Sequence, residues 1–213
     1  MKTLNMKIWP RADHFRFYQA FSEPFFNITV ELELGKLHAW SKARKVPFSH
    51  CYLYCLSRAI DAYEPMRYRI MGDTVVVTDD VVLSTVFLND DETFRFVPLN
   101  KGTDLFEFSQ STALAQQFHS KQPLINDVFL SRSTDLNQVY VSILPWFKFS
   151  SFSHARTVRD VENGIPKFVF GKYDSITNTI PLNIEVHHGL MDGLHVAKFL
   201  TEIEVQIVKA SKE

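Results

Sequence analysis

Apolar and polar side chains alternate through FNITVELEL (residues 26–34), the two-residue period of a strand with one buried face. The period then changes: GKLHAWSKARK reads as a short helix, and FSHCYLYCLSRAIDAY (48–63) as a longer one with apolar side chains at helical spacing. MRYRIMGDTVVVTD (66–79) predicts a hairpin around Met71-Gly72-Asp73, and VLSTVFLNDDETFRFVPL (82–99) a second, turning at Asn89-Asp90-Asp91. TDLFEFSQSTALAQQFH (103–119) offers Thr or Asp as a cap and continues as a helix. A polar, irregular stretch leads to three strand-like runs, QVYVSILPWF (138–147), PKFVFGKYD (166–174) and TIPLNIEV (179–186). The last helix runs from about Gly193 to Lys209, with Val196, Phe199, Leu200, Ile203 and Ile207 as one apolar stripe. No linker, repeat or low-complexity tract interrupts this order. The pattern predicts an α+β fold, a single domain over 1–213 with helices packed on a large mixed or antiparallel sheet.

Composition narrows the function classes. At 213 residues, with 46% hydrophobic and 22% charged side chains, the chain is ordinary globular material; its 19 phenylalanines suggest a core or a cavity with several aromatic walls. A net charge of −1 gives no electrostatic case for nucleic acid or an anionic membrane, although local basic patches could hold a phosphorylated cofactor. MKTLNMKIWPRADHF lacks the form of a leader, and no apolar run approaches the roughly 20 residues of a membrane helix. Cys51 and Cys55 stand four apart and indicate no disulfide framework, so a reduced, cytoplasmic protein is expected.

The chemistry concentrates in EVHHGLMDGLHVAKFL (185–200), which holds three of the chain's 8 histidines. The strand ending at Val186 places His187-His188-Gly189-Leu190-Met191 in a strand-to-helix turn. Asp192 falls at the N-cap, where a carboxylate accepts backbone N–H bonds and faces the helix dipole. Gly193 permits close backbone approach, and His195 lies in the first turn. A histidine fixed in such a turn can hold one tautomer and abstract a hydroxyl or thiol proton near neutral pH. Two other readings stand beside this one. His187, His188, Asp192 and His195 could be zinc ligands, though adjacent histidines rarely point the same way and H-E-x-x-H is absent. Alternatively, Asp192 caps the helix while the histidines simply pack.

H-H-x-x-x-D-G followed by a further histidine resembles the signature of the chloramphenicol acetyltransferases and their relatives. The resemblance extends through WPRADHFRFYQAF (9–21), VSILPWFKFSSF (141–152) and FGKYD, covering nearly the whole chain. It implies a two-layer sandwich and an acetyl-CoA-dependent O-acetyltransferase, with acetyl-CoA as co-substrate, no metal, and a small hydroxylated acceptor, chloramphenicol first. His188 would be the general base and Ser142 the donor to the developing oxyanion. Asp192 would pair with Arg11, tying the N-terminal segment to the turn, while His187 and His195 hold the turn. Lys172, Tyr173 and Trp146 would lie along coenzyme A, and Phe17, Tyr18 and Phe152 along the acceptor. The family's homotrimer, with active sites between subunits, is implied too.

The sequence departs from the family pattern around the acceptor. His154 and Arg156 stand where the chloramphenicol enzymes keep aliphatic side chains, Val169 where they carry a threonine, and Ser22 and Pro24 replace residues of the pocket wall. Another hydroxylated small molecule is therefore a second candidate acceptor. A trimeric binding protein without catalysis is the non-enzymatic alternative.

Overall fold

The alternation in residues 26–34 becomes one edge of a six-stranded sheet. In the computed structural model, which describes residues 1–132, 134–156 and 163–212, the strands are β1 (Lys2–Thr3), β2 (Phe25–Glu33), β3 (Tyr68–Met71), β4 (Thr74–Val77), β5 (Val82–Leu88), β6 (Phe94–Leu99), β7 (Gln138–Ile143), β8 (Lys167–Phe170) and β9 (Thr179–His187). The large sheet runs β2-β9-β8-β7-β5-β6, and a small one runs β1-β4-β3. Strands β5, β7 and β8 are mutually parallel and the other pairings antiparallel, so the large sheet is mixed. The helices are α1 (Ala12–Gln19), α2 (Gly35–Arg44), α3 (Phe48–Ala62), α4 (Leu105–His119), α5 (Asp127–Arg132) and α6 (Gly193–Ala210). This is the expected α+β arrangement of helices on a mixed sheet.

The period of two sorts each strand into two faces. Leu83, Val97, Val139, Val141, Phe168, Phe170, Leu182, Ile184 and Val186 project to one side and are buried in a core shared with α3 and α6. The α6 stripe meets them as predicted: Val196, Phe199, Ile203 and Ile207 are buried, and Leu200 packs at the margin. The other face carries Ser84, Gln138, Tyr140, Ser142, Lys167, Asn183, Glu185 and His187, a polar row crossing the sheet in register. Asn183, Glu185 and His187 are buried there, so each needs a polar partner. Asn183 donates to Asn27 and Thr29, and Glu185 accepts from Arg156 at 3.1 and 3.3 Å.

Several boundaries differ from the sequence expectation for local reasons. The run 138–147 ends as a strand at Ile143, because Pro145 offers no N–H for the ladder. The run 166–174 stops at Phe170; beyond it Gly171 donates to Pro181, and Asp174 returns in an isolated bridge to Thr179. Residues 64–67 form a 3-10 turn ahead of β3, so the first hairpin is Tyr68–Val77 around Gly72, whose φ of 59° suits glycine. Asp104, not Thr103, caps α4 by accepting from Glu107 N–H. The segment read as irregular contains α5, started by the Asn126 side chain accepting from Phe129 N–H at 3.0 Å. Helix α1 had no assignment, since it buries little beyond Ala12 and Phe15.

One buried cation ties the small sheet to the large one. Arg69 on β3 is fully buried and donates to the carbonyls of Met66, Tyr68, Leu136 and Gln138. Its charge-assisted bonds thereby position the start of β7, the strand that carries Ser142.

Truncating Phe199, buried between Phe168 and Tyr63, is expected to cost about 3–5 kcal/mol by cavity creation. Ile176→Ala, at an exposed loop position, is expected to stay within about 0.5 kcal/mol; urea unfolding of both variants checks the contrast.

Candidate active site

Three chain segments meet at the histidine turn. Strand β9 delivers His187 and His188, α6 begins at the Asp192 cap, and α1 crosses beneath with Arg11 at its N-terminus. Arg11 is buried, and its guanidinium uses two arms: Nη1 donates to Asp192 Oδ2 at 2.6 Å and Nη2 to the His188 carbonyl at 2.9 Å. The remaining Asp192 oxygen is spent on the helix. Oδ1 accepts from Leu194 and His195 N–H at 3.1 and 3.4 Å and lies 2.7 Å from His195 Nδ1. Burial works against ionisation of Asp192, but hydrogen bonds and charge from His195 and Arg11 hold its carboxyl well below the usual carboxylate range. One carboxylate therefore caps α6 and anchors α1.

The glycine that close approach requires is Gly189, not Gly193. A Cβ on Gly189 would meet the His187 ring at 3.0 Å and the Phe15 backbone at 3.3 Å, whereas one on Gly193 would meet nothing within 4 Å. His187 is buried, and its Nδ1 accepts from Gly189 N–H at 3.1 Å, which leaves the neutral ring's proton on Nε2. Burial, with the neighbouring charge of His188, pushes its pKa down to about 4. It is a neutral strut for the turn. His188 is half-buried: its N–H donates to the Pro24 carbonyl at 2.8 Å, its ring stacks on Tyr18 at 4.2 Å and 9°, and Phe26 closes the side at 4.7 Å. Its Nδ1 is shielded from solvent and has no hydrogen-bond partner among the described residues. Beside it Phe17, Tyr18 and Phe21 form an aromatic triangle with 5.1 Å edges, and Phe17 is largely exposed.

Ser142 sits elsewhere in the same chain. It lines a cavity of about 570 Å³ on the polar face of the sheet, bounded by β5, β6 and β7 and by the segment between α4 and β7. Phe152 and His154 also line it, and Phe94, Phe96 and Phe129 make an aromatic wall. Arg156 folds across Phe25 at 5.2 Å and pairs with Glu185 and Glu23, which fixes residues 152–156 over the sheet. Burial raises the Glu185 pKa, but His154 and Arg156 together outweigh it and bring the carboxyl down to about 2. Ser142 is level with Asn183 through Val169, and His188 lies five residues further along β9. Two strand spacings and five residue rises put the two Cα atoms roughly 20 Å apart within one chain. One acceptor hydroxyl cannot reach both.

The remaining candidates lie at the exit of β7 and β8. Trp146 is exposed, Lys172 donates its backbone N–H to Phe147 at 3.0 Å, and Tyr173 stacks on His38 at 4.4 Å while its hydroxyl donates to Asn178. Lys148 pairs with Asp174 on the same surface. No three His, Cys, Asp or Glu side chains converge as a metal would require among the described residues. No helix among them is long and apolar enough to cross a membrane.

The sequence analysis missed the back of the cavity, where His119, Arg132 and Gln138 line the wall. The alternation Phe94-x-Phe96-x-Pro98, opposite Ser84 and Val86, was the available signal that this face lines a cavity.

Comparison with known proteins places the chain among similar sequences and folds. Residues 1–204 match the family model described as chloramphenicol acetyltransferase. Chloramphenicol acetyltransferase 3 of Escherichia coli is 26% identical over 204 residues, covering 94% of this chain and 93% of its own. A second Escherichia coli chloramphenicol acetyltransferase is 28% identical over 210 residues, covering 95% and 91%. A solved structure titled chloramphenicol acetyltransferase superposes with a TM-score of 0.84 at 25% identity, covering 96% of this chain and 98% of that one.

Arg11→Ala is expected to cost about 1.5–3 kcal/mol in chemical unfolding, the range for hydrogen bonds to charged groups. Arg11→Lys should recover only part of that loss, because an ammonium on a flexible stem cannot span the Asp192 carboxylate and the His188 carbonyl as a planar fork does.

Proposed function

The chain belongs to the chloramphenicol acetyltransferase family, a family of acyltransferases, and on that premise we propose that it is an O-acetyltransferase. It moves an acetyl group from acetyl-CoA to a hydroxyl of a small acceptor, with chloramphenicol first among the candidates. The observation that carries the reading is the Arg11 fork. It holds Asp192 and the His188 backbone in one rigid unit, which fixes the turn that carries the imidazole.

In this reading the His188 imidazole takes the acceptor's hydroxyl proton while the oxygen attacks the thioester carbonyl carbon. The carbonyl π pair moves onto its oxygen, where the Ser142 hydroxyl donates a hydrogen bond to the developing charge. When that pair returns, the C–S bond breaks and the sulfur takes the proton held by His188. The acetyl ester and free coenzyme A thiol leave with no acyl-enzyme. General-base help contributes on the order of 10²–10⁴ in rate, and one oxyanion donor about 10²–10³. Tyr18, stacked on the imidazole, fixes its plane.

The roughly 20 Å between Ser142 and His188 in one chain supports a site shared by two chains. A homotrimer of this chain would set the His188 turn of one subunit, with Phe17 and Tyr18, against the Ser142 cavity of the next, with Phe152. The exposed aromatic triangle beside His188 is the kind of patch such an interface covers. Coenzyme A would run past Trp146, Lys172 and Tyr173, where an indole, a cation and an aromatic ring offer partners for pantetheine, phosphate and adenine.

Release of free thiol from acetyl-CoA, followed with and without chloramphenicol, tests the reading. Acceptor-dependent release should fall by about 10²–10⁴ in His188→Ala. Undiminished release in that variant would remove His188 from the chemistry, and no release with a broad panel of alcohols would leave a binding protein.

A further inference from the structure

The cavity that holds Ser142 is basic at its far end. Ser142 and Gln138 stand four residues apart on the same face of β7, so the cavity extends roughly 13 Å from the Ser142 end to the Gln138 end. At the Gln138 end lie Arg132, whose backbone carbonyl accepts from the Gln138 amide, and His119, the last residue of α4. His119 is more than nine-tenths buried, and its Nδ1 has no partner among the described residues. Arg132 Nε is likewise shielded and unpartnered. His154, also in the lining, keeps both ring nitrogens shielded and without hydrogen bonds among the described residues, its Nδ1 being 3.9 Å from Glu185. No carboxylate lines this cavity among the described residues. A buried, unpaired polar group is costly, and a bound ligand that satisfies it recovers that cost.

Resting on the acetyl-transfer reading, we infer that the natural acceptor is an elongated hydroxylated aromatic molecule with a carboxylate at the end remote from its reacting hydroxyl. The hydroxyl lies at Ser142, the ring runs along Phe94, Phe96 and Phe129, and the carboxylate meets Arg132 and His119. Arg132 supplies the formal charge at that end; the ammonium of Lys167, the other cation of the lining, donates to the Ala155 carbonyl at 3.3 Å. His119, whose pKa is lowered by burial and by the Arg132 charge, serves as a neutral hydrogen-bonding partner. This chemistry also accounts for basic residues in a pocket where an uncharged ring alone would favour an apolar lining.

A matched pair of probes decides it: 4-(3-hydroxypropyl)benzoate and the isosteric 4-(3-hydroxypropyl)benzamide, titrated into the intact protein by calorimetry. The benzoate should bind ~10-fold or more tightly than the amide, with an affinity that falls as salt rises while that of the amide holds. Arg132→Gln should bring the two within about twofold, and Arg132→Lys should keep part of the preference because the charge remains. Equal binding, preference for the amide, binding of neither, or a preference untouched in Arg132→Gln would overturn the inference. The salt dependence of the wild type decides the matter even if Arg132→Gln fails to fold. Carboxylate-selective binding without any thiol release would count against acetyl transfer while leaving the anion subsite standing.

Discussion

A single guanidinium organises the region where the chemistry is proposed. Arg11 reaches from the start of α1 to the Asp192 side chain and the His188 carbonyl, so one guanidinium ties the N-terminal segment to the turn between β9 and α6, about 180 residues away in sequence. Asp192 meets the demand by dividing its oxygens: one caps α6, the other receives Arg11. Neither bond alone would fix the turn. Together they specify where β9 ends, how α6 begins and where the Tyr18 ring lies against His188. Gly189 makes that closeness possible, since any side chain there would press into His187 and the α1 backbone.

The sheet supplies the second constraint. Its apolar face is committed to α3 and α6, which forces the alternate residues of every strand onto the opposite, polar face. That face is expensive to bury, and Arg156, Lys167 and the Asn27–Thr29–Asn183 group provide part of its pairing. Among the described residues, the shielded side-chain atoms without a hydrogen-bond partner include Asn183 Oδ1 on this face and, around the Ser142 cavity, atoms of His119, Arg132 and His154. Unsatisfied polar groups collected in a concave, aromatic-walled space are where a ligand gains most.

Much of this could be read from the chain because its signals are local. The α6 stripe, the 26–34 alternation and the Gly72 turn each depend on neighbours within a few residues, and each appears where the pattern put it. The Asp192 cap is legible for the same reason. Long-range partnerships were not. Arg69 looks like any surface arginine in sequence, yet it is fully buried on four carbonyls supplied by β3, the turn before it and the segment entering β7. Glu185 and Arg156 meet only because strand register and a crossing loop bring them together. Helix α1 escaped notice because it is short and buries only Ala12 and Phe15, while Phe17 is largely exposed. Its exposed side faces away from this chain's own core, consistent with the proposed role against a neighbouring subunit.

The account stands on the His188 of one chain serving the Ser142 cavity of another. Co-expression of His188→Ala and Ser142→Ala chains, each expected to lose about 10²-fold or more of the activity by itself, tests this directly. In trimers assembled at random from equal amounts of the two chains about a quarter of the sites join an intact His188 to an intact Ser142, so the purified mixture should regain acceptor-dependent thiol release at about a quarter of the wild-type rate. A mixture no more active than either variant alone would contradict it.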